Sequence, residues 1–546
     1  MSQLELNQKD WWRGAVLYQV YPRSYQDSNG DGVGDLPGIT ARLEHIARLG
    51  AEAVWISPFF KSPMADFGYD VSDYCDVDPL FGSLADFDAL VARAHELGLR
   101  VLIDLVLSHT SEQHPWFQQS RASRDNPRAD WYVWADARAD GTPPNNWLSL
   151  FGGSAWQWDT RREQYYLHNF LVSQPDLNFH SPAVQDALLD VARFWLERGV
   201  DGFRLDVVNS YFHDAQLRSN PAQPAGQLAA GVPSNNPYSR QRHLYDKTQP
   251  ENLLFLGRLR ALLEQYPGAI SIGEIGDDQQ YPTLASYTEG SERLHMAYVF
   301  TLLTERCEPE YVHGVLADYL REAGHAHVCW SLGNHDVPRI VSRWEQLGGT
   351  AEARARLLAA LLLALPGTLC LYQGEELGLP EAEVPFELLQ DPYGKVMWPE
   401  YKGRDGCRTP LVWDDGAHGG FSQAAPWLPV SVAQLPLAAA RQELDAGSVL
   451  NGYRHLLAWR NRQPALRLGG MTLLTAHPQV VAFVREHHGQ AVLCAFNLSD
   501  RPAAYPLPAG IQLEALRDAG FAAQLVDQHF ELEPLQAGFA RILEGA

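Results

Sequence analysis

The sequence predicts a parallel α/β fold, a (β/α)8 barrel, and three observations carry that prediction. Apolar strand-like runs alternate with amphipathic helical stretches, the strand candidates number eight, and ionisable residues recur where those strands end. A chain of 546 residues, 46% hydrophobic and 20% charged, can bury a large core and hold more than one domain.

The elements follow in order. Val16–Tyr25 reads as the first strand, and Pro37–Gly50 as a helix with proline near its start and glycine after its end. Ala53–Phe59 is the second strand, Leu84–Gly98 the next helix, and Val101–Leu107 a strand apolar enough to be covered on both faces. The rhythm then breaks. Residues 108–179, rich in Trp, Pro, Asn and Gly, have no helical period and are expected to form a small inserted domain.

The alternation resumes with helix Ser181–Gly199, marked by Pro182. Strand Gly202–Val208, helix Glu251–Tyr266, strand Ile270–Ile275, a strand near Tyr298–Leu302 and helix Pro309–Ala323 follow. Strand Val328–Leu332, helix Ala351–Leu365 and strand Thr368–Tyr372 complete the eight. An irregular stretch, 378–445, precedes helix Val449–Arg462. The expected organisation is barrel 1–107, insert 108–179, barrel 180–467, and an antiparallel β domain 468–546 with alternating runs such as Val480–Val484 and Ala491–Phe496.

Composition excludes some partners. A formal charge of −23 argues against nucleic acid and anionic membranes, whereas a neutral substrate is indifferent to it. The longest apolar run, Leu357–Leu365, falls far short of the ~18 residues of a membrane span. The N-terminus lacks a basic region followed by an apolar core, and the six cysteines have no CxxC spacing. They are expected to be reduced and buried, which suits a cytoplasmic protein.

In Gly202-Phe-Arg-Leu-Asp206, Arg204 and Asp206 share one face of a strand, because side chains two apart point the same way. An arginine beside an aspartate keeps the carboxylate ionised, as a nucleophile needs; a purely structural ion pair would look the same. The other strand ends add Asp104 and His109, Glu274, and Asn334-His335-Asp336. Acids gathered at one rim are costly to bury without a reason.

Two carboxylates across a cleft are the equipment of glycoside hydrolysis, one as nucleophile and one as acid, then base. Asp206 is expected to stay ionised, and Glu274, within apolar Ile272-Gly-Glu-Ile, to hold its proton. Asp336, with His335 and His109, is placed to grip sugar hydroxyls.

The chain resembles the α-amylase family of glycoside hydrolases, and within it the bacterial α-glucosidase and oligo-1,6-glucosidase group. The resemblance rests on Gln19-Val-Tyr-Pro-Arg-Ser, Asp104-Leu-Val-Leu-Ser-His109, Gln174-Pro-Asp-Leu-Asn178, Gly202-Phe-Arg-Leu-Asp206, Gly273-Glu274 and Asn334-His-Asp336, in the family's order. It implies Asp206 as nucleophile, Glu274 as acid/base and Asp336 as transition-state stabiliser. His109, Arg204 and His335 then contact the sugar in subsite −1. A retaining mechanism with glucosyl transfer to other acceptors is implied as well.

The same resemblance implies that Asp66 and Arg404 close the far end of the pocket as a bidentate pair, so that only chain ends enter. An inter-loop salt bridge is the alternative, and one pair could do both. Tyr69 is expected to stack on the sugar, Asp70 to support the subsite and Phe170 to line its wall. Val207, directly after the nucleophile, is similar to the residue of α-1,6-active members. Residues 398–410 look closer to maltose-cleaving, transglycosylating ones, so the linkage stays open. Ser108 stands where many amylases carry an interdomain calcium ligand, and that site is not expected.

A metal loop is expected elsewhere. Asp27-Ser-Asn29-Gly-Asp31-Gly-Val33-Gly-Asp35 sets oxygen ligands on alternate residues, as an EF-hand loop does, but position twelve is Gly38. A structural calcium ion held by Asp27, Asn29, Asp31, the Val33 carbonyl and Asp35 is expected; magnesium and a metal-free turn remain alternatives. No organic cofactor is expected, and the partners are small α-glucosides and sugar or alcohol acceptors, on a monomer or homodimer. The competing functions are a sucrose or trehalose isomerase or transferase on the same fold, and a non-catalytic scaffold, which the intact acids disfavour.

Overall fold

A computed structural model describes residues 8–229, 232–507, 511–526 and 528–543. Eight parallel strands lie side by side: β1 Val16–Val20, β2 Ala53–Ile56, β3 Arg100–Leu105, β4 Gly202–Leu205, β5 Ile270–Ile275, β6 Met296–Val299, β7 Cys329–Ser331 and β8 Thr368–Tyr372. β1 pairs with β8 on one side and β2 on the other, and a parallel bridge between Ala297 and Val328 joins β6 to β7 and closes the ring. The helices that follow the strands are α1 Leu36–Leu49, α2 Leu84–Glu96, α3 Pro182–Glu197, α4 Asn252–Leu263, α5 Gln280–Thr288, α6 Pro309–Ala323, α7 Ala351–Ala364 and α8 Val449–Arg460.

Strand alternation sorts the core into two shells. Val16, Tyr18 and Val20 point out to the helices with Ile39, Leu43 and Ile46, while Leu17, Ala53, Trp55, Leu102, Ile272 and Met296 fill the barrel interior. Helix starts are fixed locally: Asp35 caps α1 by accepting from the Gly38 N–H, and Ser83 and Asp86 form a capping box on α2. Gly202 opens β4 at φ 153°, where a Cβ would lie 2.3 Å from the Ile270 carbonyl.

Several boundaries differ from expectation. β1 ends at Val20 because Pro22, which has no N–H for the ladder, starts a 3-10 turn. β4 ends at Leu205 because Val207 is left-handed. β6 lies earlier than its sequence suggested, with 3-10 turn Phe300–Leu302 after it. Two elements had no clear period in the sequence: α5, which carries Pro282 in its first turn, and the hairpin Phe60–Lys61 with Asp73–Val77.

Between β3 and α3 the chain forms a three-stranded antiparallel sheet of Trp134–Ala135, Gln164–Leu167 and Trp156–Asp159, with its own core around Trp147 and Trp156. From Gly470 onward the strands form a five-stranded antiparallel sheet and a three-stranded one. Among the described residues no helix is long and apolar enough to cross a membrane, and all six cysteines are free thiols.

Candidate active site

The carboxyl ends of neighbouring strands β3, β4 and β5 deliver Asp104, Asp206 and Glu274 to one guanidinium. Arg204 donates from Nη1 to Asp104 Oδ1 at 2.7 Å and to Asp206 Oδ1 at 2.5 Å, and its Nη2 lies 2.6 Å from Glu274 Oε2. The Tyr298 hydroxyl accepts from Arg204 Nε and Nη2 at 3.2 and 2.7 Å. Asp206 and Glu274 are thus held by the two terminal nitrogens of a single guanidinium, which brings both acids to one place at the strand ends.

This geometry corrects one expectation. Arg204 was to belong to Asp206 while Glu274 sat in apolar surroundings; instead Arg204 touches both, and Asp104 as well. One cation faces three buried carboxylates. Burial, opposed by Arg204 and reinforced by Asp104, raises the Asp206 carboxyl above the usual range rather than holding it down. Burial, opposed by Arg204 and reinforced by Asp206, pushes Glu274 up to about 7. Proximity to Arg204 therefore does not by itself separate the two acids.

Asp336 has the opposite setting. Burial raises its carboxyl, but His335, Arg408 and Arg404 outweigh that and hold it below the usual carboxylate range. Arg408 donates to Asp336 Oδ1 at 2.9 Å, Arg404 to the same oxygen at 3.4 Å, and His335 Nε2 lies 3.3 Å from Oδ2. The His335 ring lies parallel to Tyr69, with centroids 5.4 Å apart, and burial keeps its pKa far below the ordinary value. His335 meets Tyr69 at its hydroxyl end rather than over its ring: the hydroxyl is hydrogen-bonded to His335 Nε2 at 2.5 Å and donates to Asp104 Oδ2 at 3.1 Å.

The far wall also differs from the expected pattern. Arg404 makes its two-pronged contact with Asp391, at 3.2 and 2.8 Å, and reaches Asp66 through Nη2 alone at 2.8 Å. Asp66 and Arg404 do meet, but the expected bidentate pair is Arg404 with Asp391. Gln174 Nε2 donates to the second Asp66 oxygen at 3.2 Å. The Arg404 guanidinium also lies over the Phe151 ring, 5.3 Å from its centroid.

Asp70 does not face the pocket. Fully buried, it accepts from Ser62 Oγ and the Ala65 and Asp66 N–H groups, and so holds the loop that carries Asp66. The His109 Nε2 is 2.9 Å from the Tyr69 carbonyl and its Nδ1 2.8 Å from Ser108 Oγ. Burial lowers its pKa to about 4, so the ring is neutral near pH 7. Phe170, half-buried, packs against His109 at 5.1 Å and Phe151 at 5.7 Å. Val207 follows Asp206 in a left-handed conformation (φ 36°) and donates its N–H to Glu274 Oε2 at 2.9 Å.

The acidic loop after β1 folds on its own oxygens. Asp27 Oδ1 accepts from the Asn29 and Gly30 N–H groups, Asn29 Oδ1 from Asp31, and Asp31 Oδ1 from Val33. Asp27 and Asp35 are buried, and neither has an arginine or lysine ion-pair partner among the described residues. Asp35 is pushed up by burial, with the charge of Asp27 adding to it. The oxygens of both acids are met by N–H and hydroxyl donors instead, Asp27 by Gly32 and Ser422 as well and Asp35 by Ser28 and Gly38, and loop oxygens on alternate residues are the kind of donor set a calcium ion takes. No three His, Cys, Asp or Glu side chains converge on a metal position among the described residues, so an ion there needs the Asn29 amide and Val33 carbonyl oxygens as well.

Sequence reasoning missed Asp391, Arg408, Tyr298 and Asn209. Asp391 had one legible signal, the Asp-Pro that caps helix Pro392–Met397. Arg408 lies four residues beyond Arg404 in a stretch already singled out. Tyr298 and Asn209 carry no local mark; only the barrel's closure brings them to Arg204 and Gly276.

An eight-stranded barrel with acids at the carboxyl ends of its strands and an inserted sheet after β3 defines a class of carbohydrate-active protein, and comparison with known proteins gives the family. The model of the α-amylase catalytic domain matches residues 19–469, and the chain belongs to the α-amylase family. It is 58% identical over 537 residues to a probable α-glucosidase of Rhizobium meliloti (strain 1021), covering 98% of this chain and 97% of that one. It is 34% identical to an oligo-1,6-glucosidase of Heyndrickxia coagulans, covering 91% and 94%. Among solved structures, the α-glucosyl transfer enzyme XgtA superposes with a TM-score of 0.96 at 57% identity, covering 98% and 99% of the two chains. The trehalulose synthase MutB from Pseudomonas mesoacidophila MX-45 superposes at 0.89 with 33% identity, covering 98% and 99%.

Proposed function

We propose that this chain is a retaining, exo-acting α-glucosidase that releases glucose from the non-reducing end of short α-linked gluco-oligosaccharides and also transfers glucosyl groups. The observation that carries the reading is the Asp206–Arg204–Glu274 bridge, two acids held by one guanidinium at the strand ends, where a nucleophile and an acid/base can act on the same glycosidic bond. Asp206 Oδ1 is taken by Arg204, so Oδ2 attacks the anomeric carbon as the glycosidic C–O bond breaks. Glu274 gives its proton to the leaving oxygen. Positive charge growing on the sugar favours the Asp206 anion beside it, and the lone pair of the leaving oxygen draws the Glu274 proton. The substrate thus supplies the separation that Arg204 does not. Asp336, held ionised by Arg408 and Arg404, stabilises the oxocarbenium-like state and binds ring hydroxyls with His335 and His109. Water, or a sugar or alcohol, then attacks the glucosyl–Asp206 ester and returns a proton to Glu274.

Asp66, Arg404 and Asp391 form the closed end that supports exo-action on short substrates. The loop at Asp27, Asn29, Asp31, Val33 and Asp35 is proposed to hold a structural calcium ion, which would neutralise Asp27 and Asp35. The six free thiols support a cytoplasmic setting. Val207 keeps α-1,6 action open, and the likeness to MutB keeps an isomerase in view as the second reading. Incubation with maltose, isomaltose, sucrose and trehalose, with product identification, tests the choice. Free glucose with chain-lengthened products is expected; an isomerised disaccharide with little free glucose would overturn the hydrolase in favour of the isomerase.

A further inference from the structure

The segment that follows the nucleophile does more than turn the chain. Val207 and Thr248 are the two β-branched residues among the described non-glycine positions with positive φ, at 36° and 55°. Branched side chains rarely adopt this conformation, and such strain collects where a site needs a particular geometry. Both strained residues meet at the end of β5. Val207 places its N–H on Glu274 Oε2 at 2.9 Å. The Thr248 N–H donates to the Asn209 carbonyl at 2.6 Å, and Thr248 Oγ1 accepts from Asn209 Nδ2 at 2.9 Å.

Asn209 is the knot between them. Its buried side-chain amide pairs both ways with the backbone of Gly276, two residues beyond Glu274: Nδ2 donates to the Gly276 carbonyl at 3.0 Å, and Oδ1 accepts the Gly276 N–H at 3.2 Å. Lys247 Nζ is a second donor to the same carbonyl, at 2.8 Å. The close approach also needs Gly273, where a Cβ would lie 2.9 Å from Val208 Cγ1. Glu274 Oε2 therefore faces two donors, Val207 N–H and Arg204 Nη2, and a proton on that oxygen would have no acceptor.

We propose that Asn209 is a positioning residue for the acid/base carboxyl: it ties the end of β5 to the segment after Asp206, sets Glu274 Oε2 against the Val207 N–H, and leaves Oε1 as the oxygen that carries the transferable proton. The proposal rests on the assignment of Glu274 as the acid. It also gives the left-handed backbone at Val207 a use, since the turn there carries the chain from the N–H that meets Glu274 to Asn209, two residues on. When the knot is loosened, proton delivery to the leaving group suffers while attack by Asp206 does not.

The test compares kcat/KM, which reports the glycosylation step, for maltose and for α-glucosyl fluoride, whose fluoride leaves with little need of an acid. Asn209→Ala is expected to lower kcat/KM for maltose on the order of 10²-fold while keeping the fluoride within about threefold. Asn209→Ser, which retains a hydroxyl but not the two-way amide, is measured beside it and is expected to show the same split, smaller in size. Equal losses on both substrates, or no loss on either, would overturn the proposal. Glu274→Gln separates the two levels of the claim. If it shows the split and both Asn209 variants do not, the positioning role alone fails; if it shows no split, the assignment of Glu274 fails with it.

Discussion

Arg404 donates from Nη2 to Asp66 Oδ1 at 2.8 Å, joining residues 338 positions apart in the chain. The same guanidinium is gripped by buried Asp391 and is itself only 8% exposed. The closed end of the pocket is therefore a buried network, in which removing one partner strands the others.

Arg404→Ala should cost about 3–5 kcal/mol of stability at pH 7, read by chemical denaturation, because it leaves two buried carboxylates unpaired. Arg404 holds Asp391 below its usual range and opposes the upward push of burial on Asp66. Without it both acids titrate higher in the folded state than in the unfolded one. Their penalty is then absent below the unfolded pKa, grows as pH rises from there to the folded pKa and is complete above it, so the deficit should shrink in acid. A deficit that stays constant from pH 4 to 7 would contradict the network.

Catalysis should depend on pH in a bell, with kcat/KM falling above about 7 as Glu274 loses its proton. The acid limb reports Asp206, which must ionise, and the nearby Asp104 charge is one reason its carboxyl stands high. Asp104→Asn removes that charge, so Asp206 ionises at lower pH and the acid limb should move down by about one pH unit. An acid limb that moves up would contradict this account of the cluster.

Chelation should act on stability rather than chemistry. The loop from Asp27 to Asp35 caps α1 and is tied to the 378–445 segment through Ser422, away from the reacting carboxylates. Removing calcium with EDTA should lower Tm, and calcium at about 100 times its Kd should restore roughly 2.7 kcal/mol. The kcat at 25 °C should hold. Identical melting in EDTA and in calcium would contradict a bound ion.

Much of the barrel was legible because its signals are local: apolar strands, the proline and glycine that bracket helix Pro37–Gly50, and acids at strand ends. What was not legible is what closure brings together. Nothing near Glu274 in the sequence says that Arg204 will reach it, since the two belong to neighbouring strands and meet only through their parallel register. The Asp66–Arg404 contact was expected from resemblance alone, and the bidentate partner, Asp391, lies in an irregular segment with no period to place it. Asp70 was expected to support the subsite, and what the sequence did not show is how: a tight turn points it into its own loop, where it holds Asp66 rather than facing the pocket.

The central claim is that Asp206 and Glu274, bridged by Arg204, act as a retaining pair, so that the sugar passes through an ester on Asp206. Proton NMR of the glucose released from p-nitrophenyl α-glucoside, whose leaving group contributes no glucose, recorded before mutarotation, tests it most directly. The account predicts α-glucose first, with the β anomer growing only at the rate of mutarotation. β-Glucose as the first product would show single displacement by water and would contradict it.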